Sequence, residues 1–202
     1  VLGLFCTDNV IRDPHFLSSM LWYTNHKDVC GAYTAQYDHV RGDKPLSRYF
    51  ALLGANDPLC WWLGKADRQD YLNGKPNYLH KARFPEAIPS IGDNGFFIKR
   101  DIMAQASIKP ETHFCIDAIE DLRRLGYYTY NIVPNLKVWH KTGESLWVYL
   151  GKRYRYTRDL YFRDLSKRRW IMVERRDWPK VILFALASLL IIPHLITSFK
   201  GC

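Results

Sequence analysis

Residues 113–140, HFCIDAIEDLRRLGYYTYNIVPNLKVWH, decide the fold of this 202-residue chain. In the first half of this stretch we predict a helix over Phe114–Leu125. It ends at Gly126, because glycine is the residue that most often follows a helix C-terminus. The second half is rich in aromatic and β-branched residues, which favour strands. We predict two strands there, Tyr127–Val133 and Leu136–Trp139, separated by a proline.

The residues upstream of this stretch show the same alternation of strands and helices. Asp13 has the position of an N-cap, with Pro14 at the first helical position, and indicates a helix that runs to about Tyr23. Further elements are predicted from composition and periodicity: strands over Val1–Phe5, Val29–Tyr37 and Gly95–Ile98, a helix over Leu46–Leu53, and a long loop over Ala66–Pro89. Alternating strands and helices are typical of an α/β protein with helices that flank a sheet.

The C-terminal part of the chain has the features of a membrane attachment. Residues 181–199 form an uncharged apolar run close to the length of about 20 residues that crosses a bilayer as a helix. Trp178 lies at its entrance, where amphipathic rings favour the headgroup zone. We predict a transmembrane helix over 181–199, and a buried core helix is the alternative. Pro193 and His194 count against spanning, since both are costly in lipid unless neighbouring groups satisfy them.

The net charge of +9 is concentrated just before this apolar run. We therefore predict a basic amphipathic helical region over 144–180 at the membrane surface, and the positive-inside rule places it on the cytoplasmic side. A polyphosphate ligand or a nucleic acid could also account for the charge. Nucleic acid is the weakest of these interpretations, because the basic residues adjoin an apolar span. The basic residues are Lys152, Arg153, Arg155, Arg158, Arg163, Lys167, Arg168, Arg169, Arg175, Arg176 and Lys180.

The five cysteines exclude two classes of small domain. They are widely scattered and contain no C-x-x-C pair, so neither a zinc finger nor a disulfide framework is indicated. This usage suits a reducing compartment. The chain also begins without an initiator Met, and we expect it to be a piece of a longer protein.

Two side chains follow or end predicted strands and are candidate metal ligands. Asp8 lies just beyond the first strand, at the end where ligands bind in open α/β sheets. His140 ends the strand LKVWH. Imidazole and carboxylate together are workable ligands for a divalent cation. The alternatives are a turn aspartate that bonds its own backbone and a half-exposed packing histidine.

Asp117 and the basic helix are the other candidate functional groups. A carboxylate such as Asp117 can accept a hydroxyl proton when it is within reach and partly desolvated. An acid in a first helical turn is equally expected from the helix dipole. Lys152, Arg153 and Arg155 are interleaved with tyrosines such as Tyr156, which suits a pyrophosphate or stacked bases. The alternative is a solvated face pressed against lipid headgroups.

Four segments in the same order resemble the membrane-associated family-2-type glycosyltransferases with a GT-A fold. TDNVIRDPHFL, residues 7–17, resembles the loop that follows the acidic D-x-D motif. SIGDNGFFIKRD, residues 90–101, resembles the G-x-N-G-x-x-x-R segment. Residues 113–140 resemble the stretch from the acidic helix to the histidine. TGESLWVYLGKRYRYTRDLY, residues 142–161, is similar to the basic helix that leads to the membrane.

This resemblance implies a metal site and a catalytic base. Asp8 would be the second acid of D-x-D and would hold Mg²⁺ or Mn²⁺ on the diphosphate of a nucleotide sugar. His140 would assist with the metal or the diphosphate, and Asp117 would be the base for the acceptor hydroxyl. Cys6 stands where the first acid of D-x-D is expected.

The resemblance also implies the residues that contact the donor. Asn94 and Gly95 would line the sugar and acceptor pocket, and Arg155 with Tyr156, next to Lys152, would contact the diphosphate. The half of such enzymes that holds the nucleotide base would precede the first residue of this chain. We therefore expect the chain to be inactive alone.

These observations combine into one prediction of organisation and function. Residues 1–143 would be the C-terminal part of a partial GT-A-like catalytic domain, 144–180 the basic surface region and 181–199 the membrane helix. The implied reaction is an inverting, metal-assisted transfer of a sugar from a nucleotide sugar to a lipid-linked or membrane-proximal hydroxyl, with a lipid or glycan as acceptor and no nucleic acid partner. The alternative is a non-catalytic, membrane-anchored domain that binds anionic lipids.

Overall fold

The computed structural model describes residues 1–6, 8–55, 57–66, 68, 80–108, 114–141, 145–159 and 165–189. The described strands are β1 (Leu2–Leu4), β2 (Asn9–Val10), β3 (Gly31–Asp38), β4 (His80–Arg83), β5 (Phe96–Ile98) and β6 (Thr129–His140). The described helices are α1 (Phe16–Thr24), α2 (Pro45–Leu53), α3 (Pro58–Trp62), α4 (Arg100–Met103), α5 (Cys115–Arg124), α6 (Leu146–Tyr156) and α7 (Trp178–Leu189). The prediction of an α/β protein with a mixed sheet and flanking helices is confirmed.

The strands form one mixed sheet in the order β1-β5-β3-β6-β2, and β4 also pairs with β6. Only the β3–β6 pairing is parallel among the described pairs; β1 and β3 each pair antiparallel with β5. The strands β1, β3 and β6 therefore point in the same direction. Their carboxyl ends meet at one edge of the sheet, together with the start of β5. Side chains that lie far apart in sequence are brought together at this edge.

Helices cover both faces of the sheet because inward-facing residues alternate along each strand. On one face, Phe96 and Ile98 of β5 pack with Ile119 and Leu122 of α5. On the other face, Phe97 packs in a second cluster with residues of α1, β3 and β6: Phe16, Met20, Ala32, Val133 and Leu136. The protein therefore has three layers, with the sheet between α1 and the α4–α5 pair.

Two positions explain the geometry of the central strands. A Cβ at Gly31 would overlap the carbonyl oxygen of Phe97, so the close pairing of β3 and β5 requires glycine there. In β6, the register against β3 shifts in the segment that contains Pro134, which lacks a backbone N–H. The prediction of two strands around this proline is therefore wrong: one twelve-residue strand accommodates the proline in an irregular register.

The predicted helices are mostly confirmed, with shifts at their ends. The helix expected to start at Asp13 begins at Phe16, because the Asp13 carboxylate accepts the N–H of His15 at 2.8 Å in a separate turn. Helix α5 is one residue shorter at each end than predicted, and Gly126 comes just after its C-cap with φ +97°. The loop expected over Ala66–Pro89 contains β4, and residues 67 and 69–79 of it lie outside the described residues.

Helices α6 and α7 occupy the region predicted to lie at and in the membrane. Ser145 caps α6, and Tyr149 packs against Phe50 of α2 with ring centroids 4.7 Å apart. Helix α7 contacts α3 through the indole N–H of Trp62, which donates to the Lys180 carbonyl at 3.1 Å. No helix in the described part of the chain is both long and apolar enough to cross a membrane. Residues 190–199 of the predicted span lie outside that part.

Candidate functional site

A cavity of about 460 Å³ lies at the edge of the sheet where β1, β3 and β6 end. The chain reaches it with Cys6 and Asp8 after β1, Tyr37 near the end of β3, and His140 at the end of β6. The turn before β5, the helices α3 and α6, the start of α5 with Phe114 and Ile116, and residues 168–172 also line it. The topology of the sheet therefore produces a polar cavity in the place where open α/β sheets bind ligands.

Asp8 and His140 form a contact on one wall of this cavity. His140 Nε2 lies 3.1 Å from Asp8 Oδ1. The pairing of Asn9 with His140 between β2 and β6 fixes this contact. Burial opposes ionisation of Asp8, but the hydrogen bond from His140, its charge and that of Lys152 outweigh it, so the pKa of Asp8 lies below its ordinary value. The two predicted metal ligands are therefore neighbours.

The fit of a divalent cation to this wall is limited to two protein ligands. No group of three or more His, Cys, Asp or Glu side chains suited to a metal occurs among the described residues. Burial, together with the carboxylates of Asp93 and Asp8, raises the pKa of the Cys6 thiol to about 12, so Cys6 stays neutral. Mg²⁺ commonly uses one or two protein ligands and completes its shell with water and phosphate oxygens. Asp8 fits a cation of that kind, and His140 Nε2 would become a ligand only after it loses the proton that it donates to Asp8.

The turn before β5 supplies a third polar group and explains two predicted residues. Asn94 lines the cavity and has φ +56°; its side chain donates to Tyr37 Oη at 3.1 Å and accepts from Asn9 Nδ2 at 2.9 Å. These bonds hold a non-glycine residue in the left-handed region. Gly95 has φ +80° and lies beneath the turn, where its N–H donates to Leu4 O at 3.2 Å. Its predicted place in the pocket lining is not observed, and its part is to permit the turn.

The carboxylate of Asp93 also lines the cavity, although Asp93 is not among the predicted site residues. Burial raises its pKa above the ordinary carboxyl value, while a hydrogen bond from the Cys115 thiol and the charge of His140 act in the opposite direction. Burial and Asp93 in turn raise the pKa of Cys115 to about 12. The only signal in the sequence was its position in the turn IGDNG, next to the selected Asn94.

Asp117 does not reach the cavity. It is fully buried, with 0% of its surface exposed. Its Oδ1 accepts the backbone N–H groups of Arg169 and Trp170, both at 2.9 Å, and its Oδ2 lies 2.8 Å from Nε of Arg168. A general base must touch the proton that it removes. This geometry argues against the predicted role of Asp117 as the base and gives it a part in holding residues 168–170.

The basic residues of α6 that line the cavity, here called the basic wall, differ from the predicted set in one arginine. Lys152, Arg153 and Tyr156 line the cavity from α6, whereas Arg155 is exposed and does not line it. With 3.6 residues per turn, two residues two positions apart point about 200° away from each other, so the helix can present only one of the two arginines. Arg168 joins this wall from outside α6, which the sequence could not indicate.

No protein-family model, curated protein or solved structure matches this chain. The lining combines the carboxylates of Asp8, Asp57 and Asp93 and the imidazole of His140 with three cationic side chains, from α6 and residue 168. Aromatic rings, among them that of Tyr156, also line the cavity. Such a site suits a ligand that has both anionic groups and hydroxyl groups.

Proposed function

We propose that the cavity binds the diphosphate and the sugar of a nucleotide-sugar donor, and that the protein transfers this sugar to an acceptor hydroxyl with inversion. The observation that supports this proposal most is the presence of two kinds of charged group in one cavity. Carboxylates and an imidazole line the same cavity as Lys152, Arg153 and Arg168. A glycosyl transfer needs both kinds of group, because a proton leaves the acceptor while negative charge grows on the diphosphate.

In this reaction the acceptor oxygen attacks the anomeric carbon, and the bond from that carbon to the diphosphate oxygen breaks. The diphosphate leaves with the electron pair of that bond, and the cationic side chains of the cavity stabilise its charge. The acceptor proton passes to a carboxylate, for which we propose Asp93 in place of Asp117. Asp93 lines the cavity, and burial has raised its pKa, as is common for a general base.

A divalent cation would be held by Asp8 and His140 together with phosphate oxygens. When bound, such a cation would neutralise part of the charge of the diphosphate. The neutral Cys6 beside this pair would not be a ligand in its thiol form. The charge of Lys152 favours the ionised form of Asp8, so the cationic and anionic groups of the cavity influence each other electrostatically.

The acceptor that we propose is a hydroxyl of a lipid-linked or membrane-proximal molecule on the cytoplasmic side of a membrane. The apolar run 181–199, which we predict to form a membrane-spanning helix, supports this assignment. Helix α6 adds a second observation, because Trp147 is 80% exposed and adjoins Leu146 and Val148, which are also exposed. Attachment to a bilayer would confine the cavity near such an acceptor.

A second candidate function is a non-catalytic domain that binds anionic lipid. The same exposed apolar residues of α6 lie on a helix that also exposes Arg155 and continues to Arg158. Apolar and basic residues on one surface helix are the features of interfacial membrane binding. This candidate requires no ligand in the cavity, so the two functions make different predictions for variants of the cavity.

The test uses the complete protein that contains this chain, reconstituted in lipid nanodiscs with Mg²⁺ or Mn²⁺ and a panel of nucleotide sugars. The released nucleoside diphosphate is measured. We expect Asp93→Asn to lower turnover by at least about 100-fold, and the exposed Asp101→Asn to leave turnover unchanged as the matched control. Unchanged turnover of Asp93→Asn would reject this base. Failure of every nucleotide sugar to bind, with salt-sensitive binding to anionic vesicles, would favour the second candidate.

A further inference from the structure

We infer that Arg68 is a positioning residue of the cavity, which fixes Tyr37 and the turn that carries Asp93 and Asn94. Those three residues line the cavity, whereas Arg68 does not and contacts the lining through Tyr37 and Asn94. The inference rests on the proposed function for its consequence in catalysis, and not for the fixing of the turn.

The guanidinium of Arg68 joins two separate parts of the chain. Its Nη2 donates to Thr34 Oγ1 in β3 and to the carbonyl oxygen of Asn94 in the turn before β5, both at 2.8 Å. Its Cζ lies 3.9 Å from the centroid of the Tyr37 ring, which is within the range of a cation–π interaction. A central strand and a turn of the cavity are therefore held together through one side chain.

The packing around Arg68 leaves it little room to move. Only 2% of its surface is exposed. Gly54 follows α2 with φ +71°, and a Cβ at this position would lie 3.1 Å from the Cβ of Arg68 and 3.2 Å from its carbonyl oxygen. The backbone and the base of the Arg68 side chain are therefore confined before any ligand binds.

Stability alone does not explain a buried arginine at this position. A buried guanidinium has lost its hydration, and hydrogen bonds and favourable charges must replace it. Apolar residues of similar volume often give equal or greater stability in such a place. An apolar residue cannot, however, bridge two oxygen acceptors and cover a ring in one geometry, as Arg68 does. We therefore assign its role to the arrangement of the cavity.

The contacts of Arg68 continue to the groups that line the cavity. Asn94 Nδ2 donates to Tyr37 Oη at 3.1 Å, so two residues that Arg68 contacts also bind each other. Asn94 Oδ1 accepts from Asn9 Nδ2 at 2.9 Å, which ties the turn to β2. Asp93, the proposed base, precedes Asn94 in the same turn. A shift of the Asn94 carbonyl would therefore displace the base.

The first test measures the fixing of the turn and needs no ligand. Hydrogen exchange is followed residue by residue by nuclear magnetic resonance, with the full chain in nanodiscs. The N–H of Gly95, which donates to the Leu4 carbonyl, reports on the turn. We expect Arg68→Met to speed its exchange at least about tenfold relative to the N–H groups of β6, because a hydrogen bond from a charged donor is lost.

The matched control for this test is Met20→Ala. Met20 is fully buried in the cluster between α1 and the sheet and does not line the cavity. Its loss should destabilise the whole fold and speed exchange at Gly95 and in β6 by similar factors. If Arg68→Met also gave similar factors at both places, its role would be general stability and the inference would be rejected.

The second test measures sugar transfer by the complete protein. We expect Arg68→Met to lower kcat at least about tenfold, since a small displacement of a reacting group slows a reaction strongly. KM for the nucleotide sugar should change less than about threefold, because Lys152 and Arg153 lie on α6 and not in the turn. The exposed Arg100→Met, beyond the other end of β5, should leave both constants unchanged.

The conservative variant Arg68→Lys keeps the inference testable if Arg68→Met does not fold. Lysine retains a positive charge and N–H donors, but it lacks the planar group that covers the Tyr37 ring. We expect it to fold, to speed exchange at Gly95 by about threefold and to lower kcat by a similar factor. Exchange and kcat equal to those of the unmodified protein would reject the role of the guanidinium.

The two measurements separate this inference from the proposed function. Selective exchange at Gly95 in Arg68→Met, without turnover of any nucleotide sugar by the unmodified protein, would uphold the fixing of the turn and reject sugar transfer. Turnover by the unmodified protein with an equal kcat in Arg68→Met would reject the positioning role and leave the transfer proposal standing.

Discussion

The main effect of removing the Asp117 carboxylate should be a loss of stability of the fold, because this side chain does not line the cavity. The side chain is fully buried, accepts two backbone N–H groups and pairs with the nearly buried Arg168. Breaking a buried ion pair by removing one partner costs about 3–5 kcal/mol. We therefore expect Asp117→Ala to lower the free energy of unfolding by about 4 kcal/mol. Asp117→Asn keeps an amide oxygen for the N–H groups but loses the ion pair with Arg168, and should cost about 3 kcal/mol.

The assay is urea unfolding, followed by far-ultraviolet circular dichroism in the same detergent for all variants. Asp101→Asn is the control, because its carboxylate is exposed in the first turn of α4 and should change the free energy of unfolding by less than about 0.5 kcal/mol. One result would contradict this prediction. If Asp117→Asn unfolds like the unmodified protein and yet loses sugar transfer, Asp117 is the base and our reading of its contacts is wrong.

Three further predictions concern a titration, a backbone contact and the membrane surface. The pKa of Asp93 is raised in the folded state, so ionisation of its carboxyl group lowers the stability of the fold as the pH rises above the ordinary carboxyl pKa of about 3.9. Asp93→Asn should therefore raise the thermal midpoint at pH 7 and have little effect near pH 3.5. Gly31→Ala should lower the free energy of unfolding by about 3 kcal/mol, since its Cβ would overlap the Phe97 carbonyl; an unchanged urea midpoint would refute this. Trp147→Ser should weaken co-sedimentation with anionic vesicles, whereas Trp22→Ser, 56% exposed on α1, should leave it unchanged; equal losses would contradict an interfacial α6.

The fold was largely predictable because its elements have strong local signals. The helix before Gly126 was readable from a pattern that local sequence controls. The strand β6 was not readable as one element, because Pro134 normally interrupts a strand. The irregular register between β3 and β6 accommodates the proline, and that register depends on pairing with a strand about a hundred residues away. Propensity describes a residue and its neighbours, and it does not contain this pairing.

Several residues of the candidate site were predictable from their places at strand ends, in the turn before β5 and on α6. Asp8 and His140 were selected because they follow or end apolar strands, and the sheet brings them within 3.1 Å. Asp117 was selected for its place in the first turn of a helix, and that place does not reveal whether the side chain faces a cavity or the interior. Its partners, residues 168–170, are distant in sequence, so no local pattern could show that they cover it.

One tertiary contact would have been enough to choose the correct arginine of α6. Tyr149 is buried against Phe50, and this contact fixes which side of the helix faces the rest of the protein. With about 100° per residue, Arg153 and Tyr156 lie within about 40° of Tyr149, whereas Arg155 lies about 120° away. The helical period could be read from the sequence, but the side of the helix that faces the rest of the protein could not. Residue types and spacing therefore limit a candidate site to a small set, and a single packing contact decides which members of the set face the ligand.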